Sequence, residues 1–340
     1  MLGLLIPALA SADPPWPRAL CHSGGGAAPV QADKESGLQP CEAYLAGRYP
    51  DLRAEESVVF AVLGDMGTGS AEQHQVAGAL AAACSEARCR FVITVGDNLY
   101  DGPERVDDPR FITWFRKPYA ALDMPVWLSL GNHDWYGDPA MEIEYTDVAK
   151  RMSRGPYWFM PAPMYTVPGL PPWLDLVAVD TYSIHKGYAE GVNAQRTWLE
   201  RGLPQSAAAK ARWTLVFGHH PHRSSGAHGD DEAVGAFFAP WLKPGVIDAF
   251  FFGHDHHQEH FAGQTAEIFI QGAGAQVRTM RFDADGRRCA SPASRDCARW
   301  KALQLGFSIV TVTRDALRVD FRAVGPGAAA PVAYSWTGRR

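Results

Sequence analysis

Eight apolar runs between residues 58 and 324 constrain the fold of this chain more than any other feature. The runs are VVFAVLG (58–64), RFVITVG (90–96), PVWLSLG (125–131), LDLVAVD (174–180), WTLVFG (213–218), IDAFFFG (247–253), AEIFIQG (266–272) and FSIVTVT (307–313). Continuous apolar runs of this length are typical of strands that are covered on both faces. Helical patterns separate several of the runs, so the sequence predicts an α/β domain.

Capping residues predict where three helices begin. Ser70 and Gln73 form a capping-box signature, which predicts a helix through about Ala87. Two further helices are predicted from single capping residues: one from Asn193 with Trp198 and Leu199 in it, and one from Asp230 or Asp231 with Phe237 and Trp241 in it.

Five of the runs end in a glycine that is followed by a side chain able to bind a metal. The motifs are G-D-M-G (Asp65), G-D-N-L-Y (Asp97 and Tyr100), G-N-H-D (Asn132, His133 and Asp134), V-F-G-H-H (His219 and His220) and G-H-D-H-H (His254 and His256). A lone aspartate after glycine at a strand end is usually a turn residue. The recurrence matters, because loops after the carboxyl ends of neighbouring parallel strands converge at one edge of a sheet. The sequence therefore predicts one site built from all five loops.

The residue types in these loops indicate a catalytic metal centre. They comprise two carboxylates, a phenol, a carboxamide and three imidazoles: Asp65, Asp97, Tyr100, Asn132, His219, His254 and His256. Hard oxygen and borderline nitrogen donors without a thiolate suit iron, manganese or zinc better than calcium or a structural zinc site. Seven ligands are too many for one ion that keeps a position open, so two ions that share a carboxylate are predicted.

The five motifs, in this order, resemble those of the calcineurin-like metallophosphoesterases. Val216-x-x-His219 and Tyr100 within G-D-N-L-Y are similar to the purple acid phosphatase branch, and the compact catalytic region resembles its small, tartrate-resistant type. The resemblance covers roughly residues 58–324. It implies a four-layer αββα sandwich of mixed α/β class, in which two mixed β-sheets are flanked by helices and the dimetal site lies at the carboxyl ends of strands.

The resemblance also implies a ligand assignment. The first metal is assigned Asp65, Tyr100 and His256, the second is assigned Asn132, His219 and His254, and Asp97 bridges them. The charges support this division, since the first site gathers three anionic groups and the second adds only neutral ligands to the shared carboxylate. The expected cofactor is Fe(III) in the first site with Fe(II), Zn(II) or Mn(II) in the second.

The implied function is that of a dimetal-dependent acid phosphatase acting on small phosphate monoesters. A metal-bound hydroxide is expected to attack phosphorus while a histidine protonates the leaving oxygen. His133 is the candidate general acid, His228 is a second acid or phosphate contact, and Asp134 is expected to orient His133. A phosphodiesterase or nucleotide pyrophosphohydrolase on the same centre stays open, as does a family member that binds phosphate or a partner without hydrolysing it. The histidines His220, His222, His257 and His260 are interpreted as hydrogen-bonding neighbours or solvent-exposed residues.

The ends of the chain predict export. Residues 1–12 combine an apolar stretch with A-x-A sequences and are predicted to be a signal peptide. Residues 13–57 are expected to form a Pro/Gly-rich extension, 58–324 the catalytic domain and 325–340 a C-terminal tail. The six cysteines fall in three pairs that are close in sequence. Six cysteines allow fifteen disulfide connectivities, and pairing between sequence neighbours is the first expectation. Disulfides would place the protein in a secreted or periplasmic location, whereas reduced, buried cysteines in a cytosolic enzyme are the alternative.

The charge and hydropathy of the chain argue against two classes of partner. It has 32 basic and 37 acidic residues, a formal net charge of −5. Without a basic excess the sequence gives no indication of nucleic-acid binding. No apolar run reaches the roughly 18 residues that a membrane span needs, so no span is expected. The oligomeric state is left open.

Overall fold

Two seven-stranded β-sheets form the centre of the computed structural model, which describes residues 13–22, 37–203, 213–280, 287–325, 327 and 330–340. The strands, numbered in chain order, are β1 (Ser57–Leu63), β2 (Phe91–Val95), β3 (Pro125–Ser129), β4 (Tyr157–Phe159), β5 (Tyr165–Thr166), β6 (Leu174–Ala178), β7 (Trp213–Phe217), β8 (Ala249–Phe252), β9 (Gln258–Ala262), β10 (Glu267–Gln271), β11 (Cys297–Ala302), β12 (Gly306–Thr313), β13 (Ala316–Ala323) and β14 (Val332–Arg339). All eight apolar runs of the sequence contain a strand, as predicted.

The helices of the described residues are α1 (Cys41–Tyr44), α2 (Ala71–Ala87), α3 (Pro139–Ala149), α4 (Thr181–Lys186), α5 (Ala189–Gly202) and α6 (Glu232–Phe238). Short helical turns of other types cover Phe111–Arg116, Asp134–Tyr136 and Ala239–Trp241. Within this part of the chain, every helix is too short or too polar to cross a lipid bilayer.

Both sheets are mixed. The first has the order β14-β13-β12-β1-β2-β3-β4, with β1 to β4 parallel and β12 to β14 antiparallel. The second has the order β11-β9-β10-β8-β7-β6-β5, with β6, β7, β8 and β10 parallel. The parallel strands β2, β3, β7 and β8 are buried along their length, which explains their continuous apolar sequences.

The sheets pack face to face and helices cover their outer faces. Phe60 of β1 meets Phe251 of β8 edge to face, with 6.3 Å between the ring centroids. Helix α2 packs against β1 and β12 of the first sheet. Leu199 of α5 and Phe237 of α6 belong to a second apolar cluster with Phe250 on the far side of the second sheet. This arrangement confirms the predicted four-layer sandwich.

Two of the three predicted helix starts are confirmed. Gln73 N–H donates to Ser70 Oγ at 3.2 Å and begins α2, and Asp231 caps α6. The start predicted at Asn193 was wrong, because α5 begins at Ala189. The backbone N–H of Ala189 donates instead to the carboxylate of Asp13, 176 residues away in sequence, so the cap comes from the N-terminal segment.

Residues 13–22 of that segment cross the surface of the domain. Leu20 N–H donates to the Pro161 carbonyl oxygen at 2.8 Å, and the rings of Trp16 and Trp135 lie 6.5 Å apart. The disulfide Cys21–Cys41 fixes its end, and Cys84–Cys89 and Cys289–Cys297 complete the set, so the expected pairing between neighbours is confirmed. The predicted signal peptide, 1–12, lies outside the described residues, and the limits 58–324 of the catalytic domain remain a prediction.

The C-terminal residues differ from expectation. A tail was predicted over 325–340, but Val332–Arg339 forms β14 and pairs with β13 along its length. Tyr334 and Trp336 of this strand are half-buried against the first sheet's core cluster. The alternating pattern of a half-covered edge strand has fewer apolar residues than a buried strand, so it gave no continuous run to detect.

Candidate active site

The five predicted loops meet at one edge of the two sheets. A metal-capable side chain follows the ends of β1, β2, β3, β7 and β8 by two or three residues: Asp65, Asp97, Asn132, His219 and His254. The first three strands are parallel neighbours in one sheet, and the other two are parallel neighbours in the other. The loops at their carboxyl ends therefore face one another across the junction of the sheets.

The first ligand group consists of Asp65, Tyr100 and His256, with Asp97 beside it. Candidate ligand atoms of Asp65, Asp97 and His256 all lie within 4.8 Å of one another. The Nε2 atom of His256 is 3.2 Å from Asp65 Oδ1 and 3.2 Å from the Tyr100 hydroxyl oxygen. Gln276 donates a hydrogen bond to that hydroxyl at 3.0 Å, which directs it towards the group.

The second ligand group consists of Asn132, His219 and His254. Asn132 Oδ1 is 3.0 Å from both His219 Nε2 and His254 Nδ1, and these two nitrogens are 3.2 Å apart. Asp97 Oδ1 is 3.4 Å from His219 Nε2. Asp97 therefore touches both ligand groups, which is the position that a bridging carboxylate needs.

The chemistry of these donors fits cations. Nδ1 of His219 donates to the Val95 carbonyl oxygen at 2.8 Å, which leaves a lone pair on Nε2. That lone pair faces Asn132 Oδ1, although both atoms are acceptors. The carboxyl groups of Asp65 and Asp97 are buried together, and this burial raises the pKa of both well above the usual range. Facing lone pairs and adjacent buried carboxylates are stabilised when positive ions lie between them.

Three of these residues have a strained backbone. The φ angles of Asp65, Asp97 and His254 are 54°, 53° and 67°, in the left-handed region that residues other than glycine rarely adopt. Each such residue costs on the order of 1 kcal/mol. A Cβ on Gly131 would lie 2.3 Å from Asp97 Oδ1, and one on Gly253 would lie 2.4 Å from Asp65 Oδ2. Glycine at these two positions therefore lets the loops close around the carboxylates.

His133 lies between the ligands and solvent. Its backbone N–H donates to Asp97 Oδ1 at 3.0 Å, and its ring contacts those of Tyr100 and Tyr136 with centroid distances of 4.2 and 4.8 Å. Its Nδ1 is buried and has no hydrogen-bond partner among the described residues. Burial also lowers the pKa of His133. The ring is therefore held in place by packing rather than by a hydrogen bond at Nδ1.

Asp134 does not hydrogen-bond to the His133 ring in the described structure, contrary to the expectation that it orients this histidine. Its buried carboxylate instead accepts hydrogen bonds from the backbone N–H groups of Gly131, Asn98 and Leu99 at 2.7, 2.9 and 3.1 Å. Adjacent residues on a tight turn point in different directions, so the G-N-H-D spacing did not reveal this. Asp134 thus ties the loop after β2 to the loop after β3.

His228 is paired with a carboxylate that the sequence analysis did not identify. Its Nδ1 is 3.0 Å from Asp255 Oδ1, and its ring stacks on His254 with 4.0 Å between centroids. Burial alone would raise the pKa of Asp255, but hydrogen bonds from His228, the nearby His257 and a hydrogen bond from Ser224 outweigh burial and hold that pKa well below its usual range. The only sequence signal for Asp255 was its place in G-H-D-H-H, between His254 and His256.

The four histidines that flank the ligand motifs are all buried: His220, His222, His257 and His260. Nε2 of His257 is 3.0 Å from Glu259, and Nε2 of His260 is 2.9 Å from Glu267, so these two hydrogen-bond to carboxylates. His220 lies within 4.8 Å of the histidines of the second ligand group and contributes a further imidazole to its surroundings.

A cleft of about 480 Å³ opens onto the second ligand group and both candidate acids. Its lining includes ligand residues, candidate acids, aromatic rings and charged side chains: Asn132, His133, Tyr136, Tyr182, His185, Lys186, His220, His228, Asp230, Asp231, His254 and Arg278. A small molecule in this cleft would contact the second ligand group and both candidate acids.

One wall of the cleft is α4, and a buried carboxylate caps this helix. Asp180 Oδ1 accepts a hydrogen bond from Tyr182 N–H at 2.9 Å, while its Oδ2 is buried without a partner among the described residues. Burial raises the pKa of Asp180 to about 7, against the lowering effect of its hydrogen bonds. The Asp180 carboxyl group therefore binds its proton more tightly in the folded protein than in the unfolded chain. As a result, the free energy of unfolding falls as pH rises from about 4 to about 7.

We expect Asp180→Asn to remove this loss, because asparagine keeps the capping oxygen without the charge. The free energy of unfolding should rise by up to about 4 kcal/mol at pH 8 and change little near pH 4. Thermal unfolding at the two pH values measures the difference. Asp138→Asn is the matched control, since Asp138 caps α3 in an exposed position. An equal effect of Asp180→Asn at both pH values would contradict the assignment.

The chain is similar in sequence to known proteins over the region that contains these motifs. The family model described as calcineurin-like phosphoesterase matches residues 58–258. Purple acid phosphatase 17 of Arabidopsis thaliana is 31% identical over 249 residues, which cover 68% of this chain and 72% of that protein. Purple acid phosphatase 4 of the same plant is 28% identical over 313 residues, 82% and 84% of the two chains. Human tartrate-resistant acid phosphatase type 5 is 28% identical over 203 residues, 54% of this chain and 61% of that protein.

Solved structures show the same fold. GAP50, described as the anchor in the inner membrane complex of Plasmodium, superimposes with a TM-score of 0.65 at 20% identity, covering 84% of this chain and 89% of that one. The purple acid phosphatase PPD1 from yellow lupin seeds gives a TM-score of 0.58 at 15% identity, covering 85% of this chain and 55% of that one. At these identities the likeness concerns the fold alone.

Proposed function

Because the chain belongs to the calcineurin-like phosphoesterases and, within them, to the purple acid phosphatases, we propose that it is an acid phosphatase that hydrolyses small phosphate monoesters at a dinuclear metal centre. The observation that carries this proposal is the position of Asp97, which lies buried against both ligand groups, the second of which lines a cleft. A carboxylate shared by two ligand groups is the arrangement that two-metal phosphoesterases require.

The proposed metal assignment follows the two ligand groups. Asp65, Tyr100 and His256 would hold one ion, Asn132, His219 and His254 the other, and Asp97 both. The anionic first group suits Fe(III), and the neutral second group suits Fe(II), Zn(II) or Mn(II). When bound, the two ions would supply Lewis acidity that neutralises phosphate oxygens and lowers the pKa of water.

Two of the histidines that line the cleft, His133 and His228, are proposed to protonate the leaving group or to bind the phosphate. His133 is held by ring packing and lines the cleft, where it would protonate the departing oxygen. His228 has Nδ1 engaged with Asp255, which leaves Nε2 for the substrate. We assign His228 to contact the phosphate or to act as the second acid. Asp134 is proposed to hold the loops of Asp97 and Asn132 together rather than to take part in proton transfer.

A single purified sample tests both the reaction and the metals. Protein recovered from an oxidising compartment should contain iron and show a visible tyrosinate–Fe(III) absorption band. At acidic pH it should hydrolyse an aryl phosphate monoester at least tenfold faster than the matched diester. Tyr100→Phe should abolish the band while the protein still binds metal through its remaining ligands.

Three outcomes would contradict this proposal in different ways. Faster hydrolysis of the diester would favour a phosphodiesterase or nucleotide pyrophosphohydrolase on the same centre. A colourless, active protein that holds only zinc or manganese would reject Fe(III) at the first ligand group. Full metal occupancy without hydrolysis of any phosphate ester would favour a protein that binds phosphate only.

We further propose a secreted or periplasmic location. The three disulfides support it, because such bonds persist in oxidising compartments and are rare in the cytosol. Their presence in protein purified under thiol-blocking conditions, read by mass spectrometry, is the corresponding check.

A further inference from the structure

Two basic residues flank the cleft on opposite sides of the second ligand group. Lys186 ends α4, the helix that follows β6, and Arg278 lies seven residues beyond the end of β10. The order of neighbouring strands in the second sheet is β10-β8-β7-β6, and β7 and β8 precede His219 and His254. The two cations therefore come from the strands on either side of the pair that supplies these ligands, and both line the cleft.

Segment 276–278 is anchored to the first ligand group. Gln276 donates to the Tyr100 hydroxyl at 3.0 Å, and the backbone N–H of Arg278 donates to the His256 carbonyl oxygen at 3.0 Å. Arg278 is therefore positioned beside the metal ligands.

The carboxylates of the cleft wall already have other partners. Asp230 forms ion pairs with Arg223 and Arg287 at 2.8 and 2.6 Å. Asp231 pairs with His185 and caps α6. These partners leave no unpaired carboxylate among the described acidic residues of the cleft wall to attract a cation.

Lys186 and Arg278, by contrast, form no ion pair with a described residue. Both are exposed. The Lys186 ammonium lies 5.3 Å from the centroid of the Tyr182 ring, and the polar contact of Arg278 is made by its backbone. Two uncompensated cations at one opening of a chain with net charge −5 attract an anion to that opening.

From this arrangement we infer that Lys186 and Arg278 form a second anion subsite, and that the preferred substrates are phosphate monoesters whose leaving group carries a second phosphate. The inference rests on the proposed phosphatase function. The reacting phosphate would occupy the metal ligands and the two candidate acids, so a leaving group that extends into the cleft lies between the cations on its two sides. A guanidinium and an ammonium together match a phosphate dianion in charge, and the planar guanidinium can bind two phosphate oxygens at once.

The double variant Lys186→Gln/Arg278→Gln tests the subsite with a sugar bisphosphate and the matching sugar monophosphate. We expect the ratio of kcat/KM for the bisphosphate to that for the monophosphate to fall about tenfold, mainly through KM. In the unmodified enzyme this ratio should also decrease with ionic strength, because exposed charges are screened. Lys117→Gln is the matched control, since Lys117 is exposed and does not line the cleft. This control should keep the original ratio.

Equal losses on both sugar phosphates would overturn the inference, because the cations would then act on the reacting phosphate. An unchanged ratio would overturn it too. If a phosphorylated carboxylic acid is preferred as strongly as the bisphosphate, the assignment to phosphate is wrong.

A binding measurement separates this inference from the proposed function. Calorimetry with a spacer-linked bisphosphonate and the corresponding monophosphonate needs no turnover. Tighter binding of the bisphosphonate, lost in the double variant, supports the subsite even if neither ester is hydrolysed, whereas equal binding of both phosphonates rejects it. Absence of hydrolysis for every ester would count against the phosphatase function alone.

Discussion

Asp97→Asn is expected to lower kcat/KM by about three orders of magnitude, which corresponds to about 4 kcal/mol of transition-state stabilisation. Asp97 lies close to side-chain ligand atoms of both ligand groups, so its loss weakens both proposed metal sites together. Asparagine keeps the size of the side chain and removes its charge. The measurement is kcat/KM for an aryl phosphate, with metal content determined on the same preparation.

The same variant should have opposite effects on stability with and without metal. With metal bound, thermal unfolding should occur at a lower temperature than in the unmodified protein, because a ligand is lost. After chelation it should occur at a higher temperature, because Asp65 and Asp97 then bury two adjacent carboxylates without a counter-ion. Asp107→Asn, an equivalent change at an exposed position, serves as the control. A chelated Asp97→Asn protein less stable than the chelated original would contradict this account.

His133→Gln is expected to reduce activity according to the leaving group. With an alkyl phosphate, whose leaving oxygen needs a proton, kcat/KM should fall by about 10²- to 10³-fold. With p-nitrophenyl phosphate, whose leaving group departs without protonation, the loss should be below about tenfold. The contrast arises because a general acid contributes only where proton transfer assists bond cleavage.

Comparison of three histidine variants separates the roles in the cleft. His228→Gln should affect both substrates more evenly if its Nε2 contacts the phosphate, and His74→Gln should affect neither, because His74 is exposed on α2. A leaving-group dependence that follows His228 instead of His133 would reassign the general acid. Equal losses on both substrates for His133→Gln would remove the general-acid role and leave only a positioning one.

The sequence predicted the parts of the fold whose signal is local. Buried parallel strands need continuous apolar runs, and the loops after them need glycine next to the ligand, so both features were visible in the pattern. Gly131 and Gly253 show why, since each is in contact distance of a carboxylate and has no room for a side chain. The capping residues Ser70 and Asp231 are local signals as well.

The features that were missed depend on residues far apart in sequence. The start of α5 is capped by Asp13, which no local pattern around Asn193 could indicate. The partners of Asp134 and His228 depend on how tight loops direct adjacent side chains. Lys186 and Arg278 line the same cleft because of the strand order of the second sheet. The periodicity of the sequence does not encode that order, so it could not predict that the two residues come together.

Each ligand group takes members from both sheets. Asp65, Asp97 and Asn132 follow strands of the first sheet, whereas His219, His254 and His256 follow strands of the second. During synthesis, the first 200 residues therefore emerge with both carboxylate ligands but none of the histidine ligands. A partly made or half-folded chain has no complete ligand set for either proposed ion, so metal uptake would be expected only after both halves of the chain have folded. The bound ions would in turn link the two sheets. Removal of metal should therefore lower the stability of the whole sandwich as well as abolish activity.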